Sequence, residues 1–244
     1  MNAICVCVEY EDLLAITLPR ALRHFQRVLV VTSHADAATG GVVAANPPAE
    51  IFRTSAFTRG GAAFNKGAAI EEGLDQLGRR GWICLLDADI VLPEQIDWRL
   101  LRVGFLHVPW RRILEDPRGY SPELDWSGLP IRREKDFAGF CQIFNAGDPA
   151  LGSPPWYPTD WVHAGGADSE FAALWPADRK TRLPWECLHL GPDYQNWYGR
   201  VTPHLDGSVS EQAERRQEAV RQMRRDRAAH GFAREKLPPG GAGE

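Results

Sequence analysis

The chain has 244 residues, of which 44% are hydrophobic and 25% charged, the proportions of an ordinary globular protein. Its formal net charge of −4 gives no general attraction to nucleic acid or to membrane surfaces. No apolar run approaches the ~20 residues of a membrane-spanning helix, and the N-terminal MNAICVCVEY lacks the basic region and cleavage site of a signal peptide. These features predict a cytoplasmic protein without a membrane partner.

In the first 87 residues, apolar runs that are typical of buried strands alternate with helical periodicity. The predicted strands are residues 3–9, 27–33, 50–54 and 81–87. The helices between them have apolar faces at Leu14, Leu18, Leu22 and Phe25, and at Ala63, Gly67, Ile70, Leu74 and Leu77. Pro19 conflicts with the first helix and indicates a break or a new start. The alternation predicts a mainly parallel sheet with ligands at the carboxyl ends of its strands.

The pattern loosens after residue 93. The predicted elements are strands at 103–110, 137–145 and 183–192, a short helix at 165–175 and a polar helix at 210–230. We expect one domain over residues 1–208, a C-terminal polar and basic helix over 209–232, and a disordered tail over 233–244.

Five scattered cysteines lack the C-x-x-C spacing of a zinc site. They are Cys5, Cys7, Cys84, Cys141 and Cys187. Four of them lie in apolar runs that resemble strands. We therefore expect buried free thiols, as in a reducing cytoplasm.

The sequence ICLLDADIVLP, residues 83–93, places two carboxylates at the end of an apolar strand. Because an unpaired charge in a strand core is costly, Asp87 and Asp89 are either turn residues or ligands of something positive. Two carboxylates one residue apart suit Mg²⁺ or Mn²⁺. Such a cation neutralises the charge on a departing diphosphate, and the strand context favours this interpretation.

Two common nucleotide-binding motifs are missing. No G-x-G-x-x-G follows the first strand. In GGAAFNKG the lysine precedes the final glycine and no Ser or Thr follows it, unlike in a P-loop. The sheet is therefore expected to bind its ligand in another way.

Three segments, in the expected order, resemble family-two-like GT-A glycosyltransferases, which use nucleotide sugars. FNKGAAIEEGLDQLGRRGWICLLDADIVLP resembles their core, HAGGADSEFAALWP resembles the galactosyltransferase G-G-x-D segment, and HLGP resembles the segment with a late metal-binding histidine. The resemblance covers roughly residues 3–200 and implies an α/β, GT-A-like fold with a mainly parallel, Rossmann-like sheet flanked by helices. The pattern is also similar to phage-encoded glycosyltransferases predicted to act on hydroxymethylated DNA bases.

The resemblance implies specific roles for residues near the donor. Asp87, Asp89 and His189 would bind Mn²⁺ or Mg²⁺, although a lone histidine in an apolar strand is more often a core residue. Asp168 would be the catalytic base of an inverting reaction, although an acid at a helix start also complements the helix dipole. The remaining candidates for binding the nucleotide sugar, which is expected to be UDP-linked, are Glu9, Tyr10, Ser33, Asn65, Lys66 and Arg200, with Asp87 facing ribose or sugar.

Aromatic and basic residues are the acceptor candidates. Indole rings stack on sugar faces, so Trp156, Trp161 and Trp197 are candidates, although most tryptophans are core residues. The basic segment 213–236 includes Arg221, Arg224 and Arg225, which would bind the phosphates of DNA carrying 5-hydroxymethylcytosine. A solvated helix face is the alternative.

Three other functions remain open at this point. The first alternative is a glycosyltransferase whose acceptor is a saccharide or a protein instead of DNA. The second is a nucleotidyltransferase, although EYEDLL follows the first strand where those enzymes usually have a Gly-rich loop with an arginine. The chain would be a non-enzymatic module that binds carbohydrate or nucleic acid, with structural acids. The sequence does not identify the donor sugar or the oligomeric state.

Overall fold

The computed structural model describes residues 1–133, 137 and 139–238, with only the backbone at residues 230, 233 and 234. The strands are β1 (Asn2–Val6), β2 (Arg27–Ser33), β3 (Glu50–Thr54), β4 (Trp82–Asp87), β5 (Ile90–Val91), β6 (Leu106–Leu114), β7 (Ile131–Arg132), β8 (Cys141–Asn145) and β9 (Lys180–Leu190). The α-helices are α1 (Glu11–Ala21), α2 (Ala37–Ala44), α3 (Lys66–Leu77), α4 (Ala167–Ala172) and α5 (Ala213–His230).

The strands form one sheet in the order β3-β2-β1-β4-β8-β6-β9-β5, with β7 paired to β6. The pairings β3–β2, β2–β1, β1–β4 and β6–β9 are parallel, and β8 is antiparallel to both β4 and β6. In the described part of the chain, six strands therefore run one way, and only β5, β7 and β8 run the other. This confirms the predicted mainly parallel α/β sheet flanked by helices.

The N-terminal half follows the apolar pattern of the sequence. Strands β2 and β3 have the predicted bounds, and their alternation with helices gives parallel neighbours. Pro19 lies inside α1 without ending it, since the helix continues to Ala21. Helix α2 was not predicted because its Gly40 and Gly41 resemble a loop; Asp36 caps it by accepting from the Thr39 N–H at 3.0 Å.

The cysteine prediction is confirmed. All five cysteines are buried and free. The closest described contact between two of them joins the sulfurs of Cys84 and Cys141 at 3.8 Å, across neighbouring strands β4 and β8. Separately, no helix within the described residues combines the length and the apolarity that a membrane crossing requires.

The C-terminal region differs from the predicted tail. Helix α5 buries a narrow stripe made by Ala213, Val220 and Met223. Beyond it, Glu235 is 2% exposed and Lys236 forms an antiparallel bridge with Trp161. Residues 235–237, which fall within the predicted tail of 233–244, thus pack against the folded chain. The polar composition of this segment hid a buried ion pair. Residues 239–244 lie outside the described range.

The first turn of helix α3 packs closely against residues 157 and 158, and this packing gives a test of the fold. A Cβ at Gly67 would overlap the backbone carbonyl of Pro158, whereas one at Gly41 in α2 would meet nothing within 4 Å. We expect Gly67→Ala to lower the free energy of unfolding by about 1–3 kcal/mol and Gly41→Ala to raise it by up to about 1 kcal/mol. Urea unfolding of both variants measures this difference, and equal stabilities would contradict the packing at Gly67.

Three histidines give the fold a pH dependence. Burial lowers the pKa of His24, His107 and His163. Each therefore binds a proton less readily in the folded chain than in the unfolded chain, where the pKa is about 6.5. Their contribution to stability is complete above that pH and is lost as the pH falls below it. We expect urea midpoints to fall between pH 7 and pH 5 and His107→Gln to flatten this slope; an unchanged slope in that variant would count against the assignment.

Candidate active site

A cleft lies at the carboxyl ends of β1 and β4, where the sheet changes from parallel to antiparallel pairing. Its cavity volume is about 170 Å³. Small-ligand sites on open α/β sheets form at such positions. The polar and aromatic side chains that line it include Tyr10, Lys66, Asp87, Asp89, Arg111, Asp168, His189, Asp193 and Trp197. Seven of these nine were predicted as site residues from the sequence.

Asp87 ends β4 and forms an ion pair with Lys66, the first residue of α3. Burial of the Lys66 ammonium opposes its charge, but the attraction of Asp87 outweighs this and raises the pKa of Lys66. Lys66 therefore stays charged at neutral pH. The pair places one cation and one anion side by side on the cleft floor.

Asp89 and His189 meet because β5 pairs with β9, with Ile90 opposite His189. The Oδ2 atom of Asp89 lies 3.6 Å from the Nε2 atom of His189. Nδ1 of the imidazole is 2.9 Å from the Gly191 carbonyl oxygen, so it is Nδ1 that carries a proton and donates it. In the neutral ring this leaves the Nε2 lone pair facing the carboxylate.

The surroundings of Asp89 fit a cation. Its side chain is 14% exposed, and its Oδ1 atom has no hydrogen-bond partner among the described residues. Burial raises the pKa of Asp89, and the opposing influence of His189 does not cancel this. A buried carboxylate oxygen without a donor beside an imidazole lone pair is the kind of donor set that Mn²⁺ or Mg²⁺ accepts. Asp87 is less available to a cation because Lys66 holds it.

Two charged cleft residues escaped the sequence prediction. Asp193 has a side chain 4% exposed, with Oδ1 at 3.1 Å from Arg111 and 3.8 Å from His189, and Oδ2 at 2.9 Å from Arg132. Arg111 stacks over the Phe140 ring at 4.7 Å. The sequence carried one signal for each residue. Asp193 follows His189 by four residues. Arg111 lies two residues before buried Ile113 on β6, so these two side chains share one face of the strand.

Asp168 is the second residue of α4 and lines the cleft. Its Oδ2 atom accepts from the Gly139 N–H at 2.7 Å, and its Oδ1 atom accepts from the Ser169 N–H at 2.9 Å. The Gln142 amide also donates to the Asp168 carbonyl at 3.1 Å. These bonds fix the orientation of a carboxylate that remains on the cleft wall, as a positioned base requires.

The predicted donor residues fall into two groups. Tyr10 lines the cleft, as Lys66 and Asp87 do, and the Arg200 guanidinium lies 4.9 Å above its ring. The other four residues are absent from the cleft lining: Glu9, Ser33, Asn65 and Arg200.

Three of those four residues have structural partners. Arg200 is 1% exposed and donates to Asp12 and to the Pro203 carbonyl. Asn65 caps α3 by accepting from the Ala68 N–H at 2.9 Å. Glu9 forms an ion pair with Arg216 of α5. These contacts engage the three side chains outside the cleft lining.

The three acceptor tryptophans also separate. Trp197 lines the cleft and is partly exposed. Trp156 is 8% exposed and packs edge-on against Phe144 in the core. Trp161 is 3% exposed, and its indole N–H donates to Glu170 at 3.0 Å. The structure therefore offers Trp197 alone of these three to a ligand in the cleft.

The three predicted DNA-binding arginines are exposed on α5 but are mostly engaged within the chain. Arg221 and Arg225 both pair with Glu218. Arg224 differs: it donates to the Tyr194 carbonyl at 2.7 Å and lies 5.8 Å above the Trp197 ring. Arg224 thus borders the cleft.

A second set of possible metal ligands lies outside the cleft. Among the described residues, the ligand atoms of Glu11, Asp12 and His204 all lie within 4.8 Å of one another. The predicted set of Asp87, Asp89 and His189 does not meet this spacing. However, both oxygens of Asp12 already accept hydrogen bonds from Arg200. We therefore favour Asp89 and His189, where an oxygen and a lone pair lack such donors.

Comparisons with known proteins give similarity only at the level of solved structures. No family model matches the chain, and no curated protein matches it. Mannosyl-3-phosphoglycerate synthase from Rubrobacter xylanophilus has a TM-score of 0.49 at 15% identity, over 94% of this chain and 75% of that chain.

Two further structures are similar to this chain. Inositol-1-phosphate CTP transferase from T. maritima has a TM-score of 0.46 at 8% identity, covering 91% of this chain and 96% of its own. HddC from Yersinia pseudotuberculosis has a TM-score of 0.39 at 12% identity, covering 59% and 76%. Similarity of this size carries no argument about activity.

Proposed function

We propose that the chain is a metal-dependent glycosyltransferase that moves a sugar from a nucleotide sugar, UDP-linked, to a hydroxyl group with inversion. One observation supports the proposal. The same cleft contains Asp89 and His189, which offer a carboxylate oxygen and an imidazole nitrogen to a cation, and a separate carboxylate, Asp168, which backbone N–H groups hold in place. Transfer to a hydroxyl needs both features, since charge builds on the leaving diphosphate while a proton leaves the acceptor.

The roles divide along the cleft. Asp89 and His189 would hold Mn²⁺ or Mg²⁺, which when bound neutralises the departing diphosphate. Lys66 adds a fixed positive charge on the cleft floor. Asp168 accepts the proton of the attacking hydroxyl. Attack from the face opposite the leaving group inverts the anomeric centre, and a single carboxylate base suffices for it.

Nucleotidyl transfer is the second candidate, and it fits the same pair of Asp89 and His189, since a bound metal would neutralise a departing pyrophosphate as it would a departing diphosphate. Among the described lining residues there are four aspartates, and the two permanent cations, Lys66 and Arg111, each form an ion pair with one of them. Both reactions bring phosphates past these charges, so the charges do not separate them. The acceptor of nucleotidyl transfer is a phosphate, which needs no base, whereas a hydroxyl acceptor gives Asp168 a role.

The acceptor that we propose to test first is DNA with 5-hydroxymethylcytosine, which offers a primary hydroxyl. Trp197 supports it as a stacking surface within the cleft, and Arg224 as a cation beside it. The pairing of Arg221 and Arg225 with Glu218 weakens the role first assigned to α5. A saccharide or protein hydroxyl fits the same base and stacking ring.

The test is to incubate the protein with radiolabelled UDP-sugars and Mn²⁺, in parallel with hydroxymethylated DNA, oligosaccharides or a protein mixture. We expect release of UDP and label on one acceptor class. Label on a saccharide or protein alone would replace the DNA acceptor. Formation of pyrophosphate from a nucleoside triphosphate and a sugar phosphate, without UDP release from any donor, would overturn glycosyl transfer.

A further inference from the structure

The C-terminal segment of residues 235–237 runs along residues 160–162 as a short added strand. The Val162 N–H donates to the Glu235 carbonyl at 2.9 Å, and the Leu237 N–H donates to the Asp160 carbonyl at 2.5 Å. Trp161 and Lys236 form the antiparallel bridge between these bonds. The segment thus contacts the chain just before residues 163–166, which form the turn that leads to Asp168 in α4.

Glu235 accepts a buried hydrogen bond at this turn. Its side chain is 3% exposed and lies 2.9 Å from Nε2 of His163, which is fully buried. Nδ1 of the same ring accepts from the Gly165 N–H at 2.9 Å. Arg227 donates to the other oxygen of Glu235 at 2.8 Å. The imidazole is therefore held in the Nε2–H form between a carboxylate and the turn.

Lys236 holds the other side of the same element. Its ammonium lies 2.7 Å from Glu170 of α4 and 3.0 Å from Asp160. Trp161 donates to the same Glu170 carboxylate at 3.0 Å. The start of α4, with Asp168, is thus held from both directions by consecutive residues of the C-terminal segment.

The network also supports the cleft ring Trp197. Arg227 lies 5.3 Å above this ring, and the Trp197 carbonyl accepts from the Ala164 N–H at 2.9 Å. A Cβ on Gly165 would lie 2.7 Å from the indole, so the ring packs directly on the turn. His163, Gly165 and Trp197 therefore pack together, and Asp168 lies three residues after Gly165.

We propose that Glu235 and His163 are positioning residues of the acceptor side of the cleft, which set the relative placement of Trp197 and Asp168. The inference rests on the proposed function, since it treats Asp168 as the base. On the donor side, Asp89, His189 and Lys66 make no contact with the Glu235 side chain within the described part of the chain. Loss of the pair thus affects transfer and leaves donor binding intact.

The test compares Glu235→Ala and Glu235→Gln with Glu218→Ala. Glu218 is an exposed acid of α5 whose partners among the described residues are Arg221 and Arg225 of the same helix. Circular dichroism and melting curves check folding, calorimetry gives the Kd of a UDP-sugar with Mn²⁺, and steady-state assays give donor hydrolysis and transfer. For Glu235→Ala we expect donor Kd unchanged within twofold. Hydrolysis and kcat/KM for the acceptor should fall on the order of 10²-fold. Glu235→Gln should recover part of this, and Glu218→Ala should match the parent.

A second variant covers misfolding of Glu235→Ala. In His163→Asn, the amide oxygen still accepts from the Gly165 N–H but the shorter side chain does not reach Glu235, so we expect the same split between donor binding and turnover. Parent-like turnover in folded Glu235→Ala and His163→Asn would overturn the inference, as would a parallel loss of donor affinity. Asp168→Asn, assayed alongside, separates the two proposals: full turnover in that variant refutes the base itself, whatever Glu235 does.

Discussion

Asp89→Asn should abolish the Mn²⁺-dependent binding of a nucleotide sugar without lowering stability in cation-free buffer. The ionised Asp89 is buried with one oxygen that lacks a donor among the described residues, and its pKa is raised by that burial. A neutral amide avoids the cost of burying this charge. In the parent, Mn²⁺ and donor at a hundredfold excess over Kd should add about 2.7 kcal/mol of stability, and the variant should gain nothing.

The measurement is a set of melting curves with EDTA, with Mn²⁺, and with Mn²⁺ plus donor. Asp97→Asn is the matched control, because Asp97 is an exposed acid whose partner within the described ranges is neighbouring Arg99. It should respond to Mn²⁺ as the parent does. An equal rise in melting temperature for Asp89→Asn and the parent would place the cation elsewhere, with Glu11, Asp12 and His204 the next set to test.

Asp168→Asn should lower transfer by roughly 10²–10⁴-fold, the range for loss of a general base. The asparagine retains the size of the side chain but cannot take a proton. It also keeps only one of the two hydrogen bonds from the Gly139 and Ser169 N–H groups, because its NH₂ group cannot accept. We therefore expect some loss of stability beside the loss of turnover, and donor affinity close to that of the parent.

The same assays on Asp97→Asn provide the control for Asp168, since Asp97 is an exposed acid that pairs with Arg99 and is absent from the cleft lining. Analysis of the product's anomeric configuration adds an independent readout. Near-normal transfer by Asp168→Asn would reduce Asp168 to a helix-start acid. A product with retained configuration would also exclude it as the base of a single displacement.

Local patterns predicted those parts of the fold that depend on neighbouring residues. Strand β2, RVLVVTS, is a short run rich in β-branched residues, which favours a buried strand, and its five central residues are buried. The cleft residues at the ends of β1 and β4 followed from the rule that parallel strands bring their carboxyl ends together. The resemblance added Asp168 and His189, which spacing alone does not distinguish from a helix-start acid and a core histidine.

The remaining assignments depended on contacts between distant residues. Arg200 looked like a diphosphate ligand, but Asp12, 188 positions earlier, holds it inside the protein. Glu235 looked like part of a disordered tail, because a single buried ion pair does not alter the polar composition around it. Trp156, Trp161 and Trp197 are all tryptophans, so the residue type does not distinguish them, and packing alone decides which ring faces the cleft.

The distance along the chain between His163 and Glu235, 72 residues, has a consequence for protein synthesis. At the usual rates of translation, Glu235 is added roughly 4–14 s after His163. During this interval the nascent chain already contains Asp89 and soon acquires His189, but His163 lacks its buried carboxylate partner. The wall that carries Asp168 is thus completed late in translation, after Asp89 and His189 have both been added to the chain.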